Sequence, residues 1–145
     1  MTYDRVLAVY GDPHEPDFEA KHIVSFELPY RLVYNVVHWV TTTRAHRLAV
    51  PKFIAAFTEI RDLGLAHLAT EYAGIYENRS IRAHPKHLSA HAWGCAIDLN
   101  ASRLPLGSFK REDARIVRAF TRQGFLYGGD FHSRLDPMHY SLLGF

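Results

Sequence analysis

What the sequence has little of narrows the field first. It holds a single cysteine, Cys95, so no disulfide can form within the chain and no thiolate-rich zinc knuckle can be built. Any metal must be held by imidazoles and carboxylates. No apolar run reaches membrane-spanning length: Leu32 to Thr43 lacks Asp, Glu, Lys and Arg, but it is short and contains Asn35 and His38. Membrane insertion is therefore not expected. Met1-Thr2-Tyr3-Asp4-Arg5 puts an acid and a base where a secretory signal needs an apolar run, which predicts synthesis in the cytoplasm without a signal peptide. An excess of either charge is missing too. Seventeen Lys and Arg against 15 Asp and Glu leave +2, and charge alone gives no argument for a nucleic-acid partner. What the chain has in abundance is histidine, 10 in 145 residues.

Neither repeats nor a polar linker divide the chain, and its length, 48% hydrophobic and 22% charged composition predict one domain over residues 1–145, with 1–40 a loop and strand region. Gly11 to Asp17 is rich in turn formers. The β-branched and aromatic run from Leu32 to Val40 predicts a buried strand. A helix is expected from Pro51, a good first-turn residue, to Gly64, with Phe53, Ile54, Phe57 and Ile60 facing the core. A second is expected over Lys110–Gln123, capped by Ser108, with Ala114, Ile116, Val117 and Phe120 packed inward and Arg111, Arg115, Arg118 and Arg122 forming a stripe on the other side. Glu71–Tyr76, Cys95–Leu99, Phe125–Tyr127 and Met138–Leu142 read as short strands. Together these predict an α+β fold: a small, mostly antiparallel sheet with helices packed on one side.

The segment Ser89-Ala90-His91-Ala92-Trp93-Gly94-Cys95-Ala96-Ile97-Asp98 carries the most chemistry. On a strand over 95–99, Cys95, Ile97 and Leu99 share one face, and Asp98 stands on the other beside the small Ala96. Gly94 can turn the preceding loop so that His91 folds back toward Asp98. A surface Asp at a strand end and a loop His bonded to backbone is the competing reading, and this spacing alone does not separate the two. Further on, Asp136-Pro137-Met138-His139-Tyr140 places Met138 and Tyr140 toward the core and His139 the other way, with Asp136 within its reach. Two His and one carboxylate leave a fourth zinc position open, as catalytic sites do. Zinc lowers the pKa of water from 15.7 toward about 7, and a carboxylate off the metal can shuttle the proton; Asp136 is the candidate.

These motifs resemble the zinc signature of the D-alanyl-D-alanine metallopeptidase family, the LAS-type zinc peptidases. The phage and prophage L-alanyl-D-glutamate endolysins are the more similar branch, sharing an Arg-bearing segment, here Tyr76 to Arg82, and a Gly-Gly-Asp, here Gly128-Gly129-Asp130. The resemblance runs over roughly residues 50–145. It implies a zinc peptidase acting on the peptide stems of peptidoglycan, with His91, Asp98 and His139 as zinc ligands, Asp136 as general base, and Arg79 or Arg82 polarising the scissile carbonyl. An Asp where the carboxypeptidases usually carry Glu favours the endolysins. D-alanyl-D-alanine carboxypeptidase is the enzyme alternative. A zinc-stabilised cell-wall binding module is the non-enzyme one, as the related Hedgehog domain illustrates for this fold. Without a signal, such an endolysin reaches the wall through a holin-type pore.

Other residues compete. Ser89 is expected to bond the substrate or orient the loop. Trp93 can line the cleft, although an aromatic beside a metal loop more often packs. His84, His87 and His132 lie near enough in sequence to replace a ligand, and Asp130 rivals Asp136 as base. Cys95 reads as core, not as a nucleophile. The arginine stripe is by default a solvated face; four guanidinium groups in line could also hold an anionic polymer such as a teichoic acid.

Overall fold

A helix, α1 (Tyr3–Tyr10), occupies the start of the chain in the computed structural model, which describes residues 1–78, 80–81 and 84–145 and, of residues 80, 81 and 84–86, the backbone alone. Thr2 caps it by accepting from the Arg5 amide, Gly11 (φ 81°) ends it, and its two buried residues, Val6 and Tyr10, stand one turn apart. Two apolar positions make too short a pattern to read as a helix from sequence. The turn-rich segment follows as expected and leads into α2 (Phe18–His22).

The long hairpin of β1 (Ile23–Tyr34) and β2 (His38–His46) corrects the expectation of one buried strand over Leu32–Val40. The two strands pair antiparallel from Ile23 opposite His46 to Tyr34 opposite His38. Asn35 and Val36 turn the chain at φ 49° and 66°. Asn reaches this left-handed region more readily than most residues because its short side chain can bond locally. The β-branched composition around it concealed the turn: Leu32 is buried, whereas Val36 and Val37 are exposed. Arg31 lies over the ring of Trp39 at 3.8 Å, shielding part of an exposed indole.

The central helix, α3 (Val50–Asp62), has Pro51 in its first turn and buries Phe53, Ala56, Phe57 and Ile60. Ile54, expected in that face, is exposed, because it sits about 100° round the axis from Phe53. The fourth helix, α4 (Ala114–Thr121), is shorter than expected and is capped by Asp113, whose side chain accepts from the Arg115 amide. Ser108 instead accepts from the Lys110 amide in the preceding loop. Ile116, Ala119 and Phe120 are buried and Val117 is half-buried, but Ala114 faces out. Arg111 lies ahead of the helix and pairs with Asp130 at 2.8 Å, while Arg115 pairs with Asp113 and Arg122 with Glu59 of α3. Three of the four arginines thus already have carboxylate partners.

The remaining strands are short: β3 (Glu71–Tyr72), β4 (Ser80–Ile81), β5 (His84–Leu88), β6 (Ala96–Asp98), β7 (Leu126–Tyr127) and β8 (His139–Ser141). β3, β6, β7 and β8 fall inside the segments read as strands; the pairing of β4 with β5 was not anticipated. Among the described residues there are three small sheets, ordered β2-β1-β3, β4-β5 and β6-β8-β7, antiparallel except for β1 with β3. A bridge between Tyr72 and Leu99 links the first sheet to the third. The fold is α+β with small, mostly antiparallel sheets.

An aromatic column fixes the third sheet to the helices. Phe53 contacts Phe125 at 4.9 Å between ring centroids, Phe57 contacts Phe120 at 5.5 Å, and Tyr140 of β8 stacks on Phe120 at 4.5 Å and Tyr127 at 5.1 Å. Each such pair adds about 0.5–1.5 kcal/mol beyond the apolar area it covers. With Tyr140 locked inward, strand alternation turns the neighbouring His139 toward the opposite face.

Candidate metal centre

His91, Asp98 and His139 come together, each offering a ligand atom within 4.8 Å of the others. Two local devices bring them there. β6 and β8 pair antiparallel in a register that sets Asp98 directly opposite His139, where facing side chains touch. His91 stands on a 3-10 turn, Ala90–Trp93, which ends at Gly94 in the left-handed conformation (φ 67°). A Cβ on Gly94 would run into the main chain of Ala45 and His46, so only glycine turns the chain here. Ser89 caps the same turn by accepting from the His91 amide at 3.4 Å.

Both imidazoles are oriented by main-chain oxygens. His91 Nδ1 is 2.9 Å from the carbonyl of Ile75 and His139 Nε2 is 3.3 Å from the main-chain oxygen of Phe145. A carbonyl can only accept, so these outer nitrogens carry the protons, as in histidines that ligate metals. The inner nitrogens face the carboxylate: His91 Nε2 lies 3.3 Å from Asp98 Oδ2 and His139 Nδ1 2.9 Å from Asp98 Oδ1. His91 Nε2 is buried and aligned with no hydrogen-bond partner among the described residues. A lone pair aimed at a carboxylate oxygen, with both groups withdrawn from water, needs a positive charge between them.

The electrostatics agree. Burial raises the Asp98 carboxyl, but hydrogen bonding and charge from His139 and His91 outweigh it and hold the group well below the usual carboxylate range. Burial likewise pushes the His139 imidazole down, and Asp98, with help from Asp136, more than reverses this. His139 therefore binds a proton readily where no metal stands in for it. Two imidazoles and one carboxylate form a donor set suited to zinc and leave a position open for water or substrate. The residues present fit a zinc ion.

Asp98, His139, Asp136 and Ser89 open onto a cavity of about 960 Å³. The Gly128-Gly129 pair lets the Asp136 segment close over it. The Gly128 carbonyl accepts from the Asp136 amide at 2.9 Å, and a Cβ on Gly128 would collide with the Asp136 carbonyl and the His139 side chain. The His139 amide donates to the Asp136 carbonyl at 3.0 Å, holding that acid beside the cluster. Its rival Asp130 is tied to Arg111.

Other expectations place differently. Trp93 is fully buried, donates to the Gly11 carbonyl at 2.9 Å and packs on Tyr3 and on Phe145, which lines the cavity where Trp93 does not. Met138, read as core, lines the cavity instead, because β8 begins one residue later. His132 lies exposed on the cavity wall and His87 packs near Tyr3, neither in the ligand group. Cys95 is buried, and burial pushes its thiol up, away from nucleophilic use. Arg79 and Arg82 lie outside the described residues, as does the side chain of His84. Sequence reading missed Ile75 and Phe145, whose contribution is a main-chain oxygen and carries no residue signature. It also missed Phe131, 6.0 Å from the His139 ring, although that residue directly follows the Gly-Gly-Asp motif.

No curated protein and no solved structure matches the chain. Residues 82–142 match a family model described as D-alanyl-D-alanine carboxypeptidase, and that stretch contains His91, Asp98, Asp136 and His139. The part of the chain that builds the ligand cluster is thus similar to this metallopeptidase family, a likeness that supports a peptidase acting on peptidoglycan.

Proposed function

We propose that the protein is a zinc-dependent peptidase that hydrolyses an amide bond in the peptide stem of bacterial peptidoglycan, between L-Ala and D-Glu. The observation that carries this reading is the pair of inward imidazole nitrogens facing the two oxygens of Asp98 beside a cavity that also receives Asp136. Zinc held there supplies Lewis acidity, polarising a carbonyl and making water acidic enough to lose a proton near neutral pH. Asp136 is the base that takes that proton and returns it to the leaving amine. The main-chain oxygens of Ile75 and Phe145 keep His91 and His139 in the ligating tautomers. Arg79 or Arg82 steadies the negative charge that develops on the scissile carbonyl oxygen, a role suited to a permanently charged guanidinium. Ser89 supports the His91 turn and borders the substrate cavity.

The description of the matched family favours a second reading, removal of the terminal D-Ala by a carboxypeptidase. Asp136, where carboxypeptidases of the resembling family usually carry Glu, favours the endopeptidase. Digestion of purified peptidoglycan with zinc-loaded protein, followed by mass spectrometry, separates them: a new N-terminal D-Glu is expected, and loss of terminal D-Ala supports the second reading. A chelator should stop either reaction. Digestion that continues without metal, or no digestion by the zinc-loaded protein, overturns the peptidase assignment. Among the described residues no helix is long and apolar enough to cross a membrane, and we place the protein's action at the wall after release from the cytoplasm.

A further inference from the structure

A second groove, of about 750 Å³, adjoins the metal cavity, and Ala73 lines both. The β1–β2 hairpin lines it through Ser25, Tyr34, Thr42 and Thr43, and the segment Tyr72–Glu77 supplies a further wall. That wall is pinned to the ligand cluster at three points. The Ala73 amide donates to the Asp98 carbonyl at 3.0 Å, the Ile75 carbonyl accepts from His91 Nδ1, and the Glu77 amide donates to the His91 carbonyl at 2.9 Å. Whatever lies in the groove is thereby registered against the metal centre.

The lining has a distinct chemistry. It includes the hydroxyl-bearing Ser25, Thr42 and Thr43, the last bonded to the Tyr72 hydroxyl at 3.3 Å, together with Tyr34 and Tyr76. Arg44 is already paired with Glu19 and lies over the Tyr76 ring at 5.4 Å, so its charge is spent within the protein. Gly74 and Tyr76 use neither main-chain N–H nor C=O in a main-chain hydrogen bond among the described residues. A Cβ on Gly74 would meet nothing, so the backbone is open to a ligand. Hydroxyls, aromatic faces and the open main chain at Gly74 suit a neutral polyhydroxylated ligand with acetamido groups better than an anion.

We infer that this groove binds the glycan part of the substrate, an N-acetylated amino-sugar unit, while the attached peptide crosses Ala73 into the metal cavity. The choice of peptidoglycan rests on the proposed function; binding of the sugar does not. The test is titration of the protein with the N-acetylglucosamine–N-acetylmuramic acid disaccharide, its lactyl carboxyl capped as an amide as in the substrate, followed by amide NMR shifts, together with cleavage of a stem peptide with and without that disaccharide. Shifts are expected at Thr42, Thr43 and Gly74. Tyr34→Ala should weaken disaccharide binding about fivefold or more, the usual scale for losing a tyrosine anchor, and lower the ratio of kcat/KM on the glycosylated to the bare peptide by a similar factor. Thr42→Val should act in the same direction. Absent shifts, or variants that leave both the binding and the ratio unchanged, overturn the inference. Disaccharide binding in the groove without cleavage of either peptide supports the groove and defeats the peptidase reading.

Discussion

Two pairs of imidazoles lie at the same ring separation, 5.2 Å: His91 with His139, and His22 with His46. In the second pair the rings stack, and His46 has both nitrogens occupied by the main chain. Nε2 donates to the Tyr10 carbonyl and Nδ1 accepts from the Leu48 amide. That arrangement suits the neutral ring, and burial pushes its pKa down to about 4. In the first pair only the outer nitrogens are used by the main chain, and the inner ones bracket Asp98. The same residue type packs in one place and faces a buried acid as a candidate ligand in the other, and the difference lies in whether an acid and a vacant lone pair face each other.

The sharpest way to break the comparison is Asp98→Asn, which keeps shape but removes the charge. It should abolish peptidoglycan hydrolysis and stoichiometric zinc uptake, since two imidazoles alone hold zinc poorly; metal analysis after dialysis checks this, and His46→Gln should retain its zinc. Asp136→Ala is expected to reduce hydrolysis by about 10²–10⁴-fold, the range for a lost general base, with zinc still near one equivalent. Loss of metal along with activity would make Asp136 a ligand.

Gly94 joins the two pairs, because its carbonyl accepts from the His46 amide at 3.0 Å while its left-handed turn aims His91. Gly94→Ala should cost more than about 1 kcal/mol, read as a lowered urea midpoint, and should weaken zinc binding as well. A stable variant with native zinc affinity would uncouple the pairs. The smallest effect concerns pH. The folded pKa of His46, about 4, lies below the ordinary 6.5, so the unfolded chain takes up the proton first. Stability from the neutral ring is whole above about pH 6.5 and is lost as pH falls toward 4. With chelator present throughout, the fall in Tm from pH 7 to pH 5 should be smaller in His46→Gln than in the native protein.

How far the sequence could be read follows the same divide. His91, Asp98 and His139 were legible through the resemblance to the metallopeptidase signature, which joins two distant motifs; the spacing around Gly94 alone left a surface Asp and a backbone-bonded His equally open. α3 was legible from Phe53, Phe57 and Ile60 at helical spacing, with Ile54 misassigned because it borders that stripe. The hairpin was not, since the turn at Asn35 and Val36 sits inside a β-branched and aromatic run in which Asn35 is the lone turn-forming residue. Nor was α1, whose buried face is two residues. Trp93 was open to two readings, and its partner, the Gly11 carbonyl, is 82 positions away. Contacts made through main-chain oxygens, as at Ile75, leave no trace in residue type.

Crystals grown with zinc and measured on both sides of its absorption edge test the central claim directly. The account predicts one strong anomalous peak about 2.0–2.2 Å from His91 Nε2, His139 Nδ1 and an oxygen of Asp98. A peak ligated by other side chains, such as His132 or the His22–His46 pair, or none at this cluster, would contradict it.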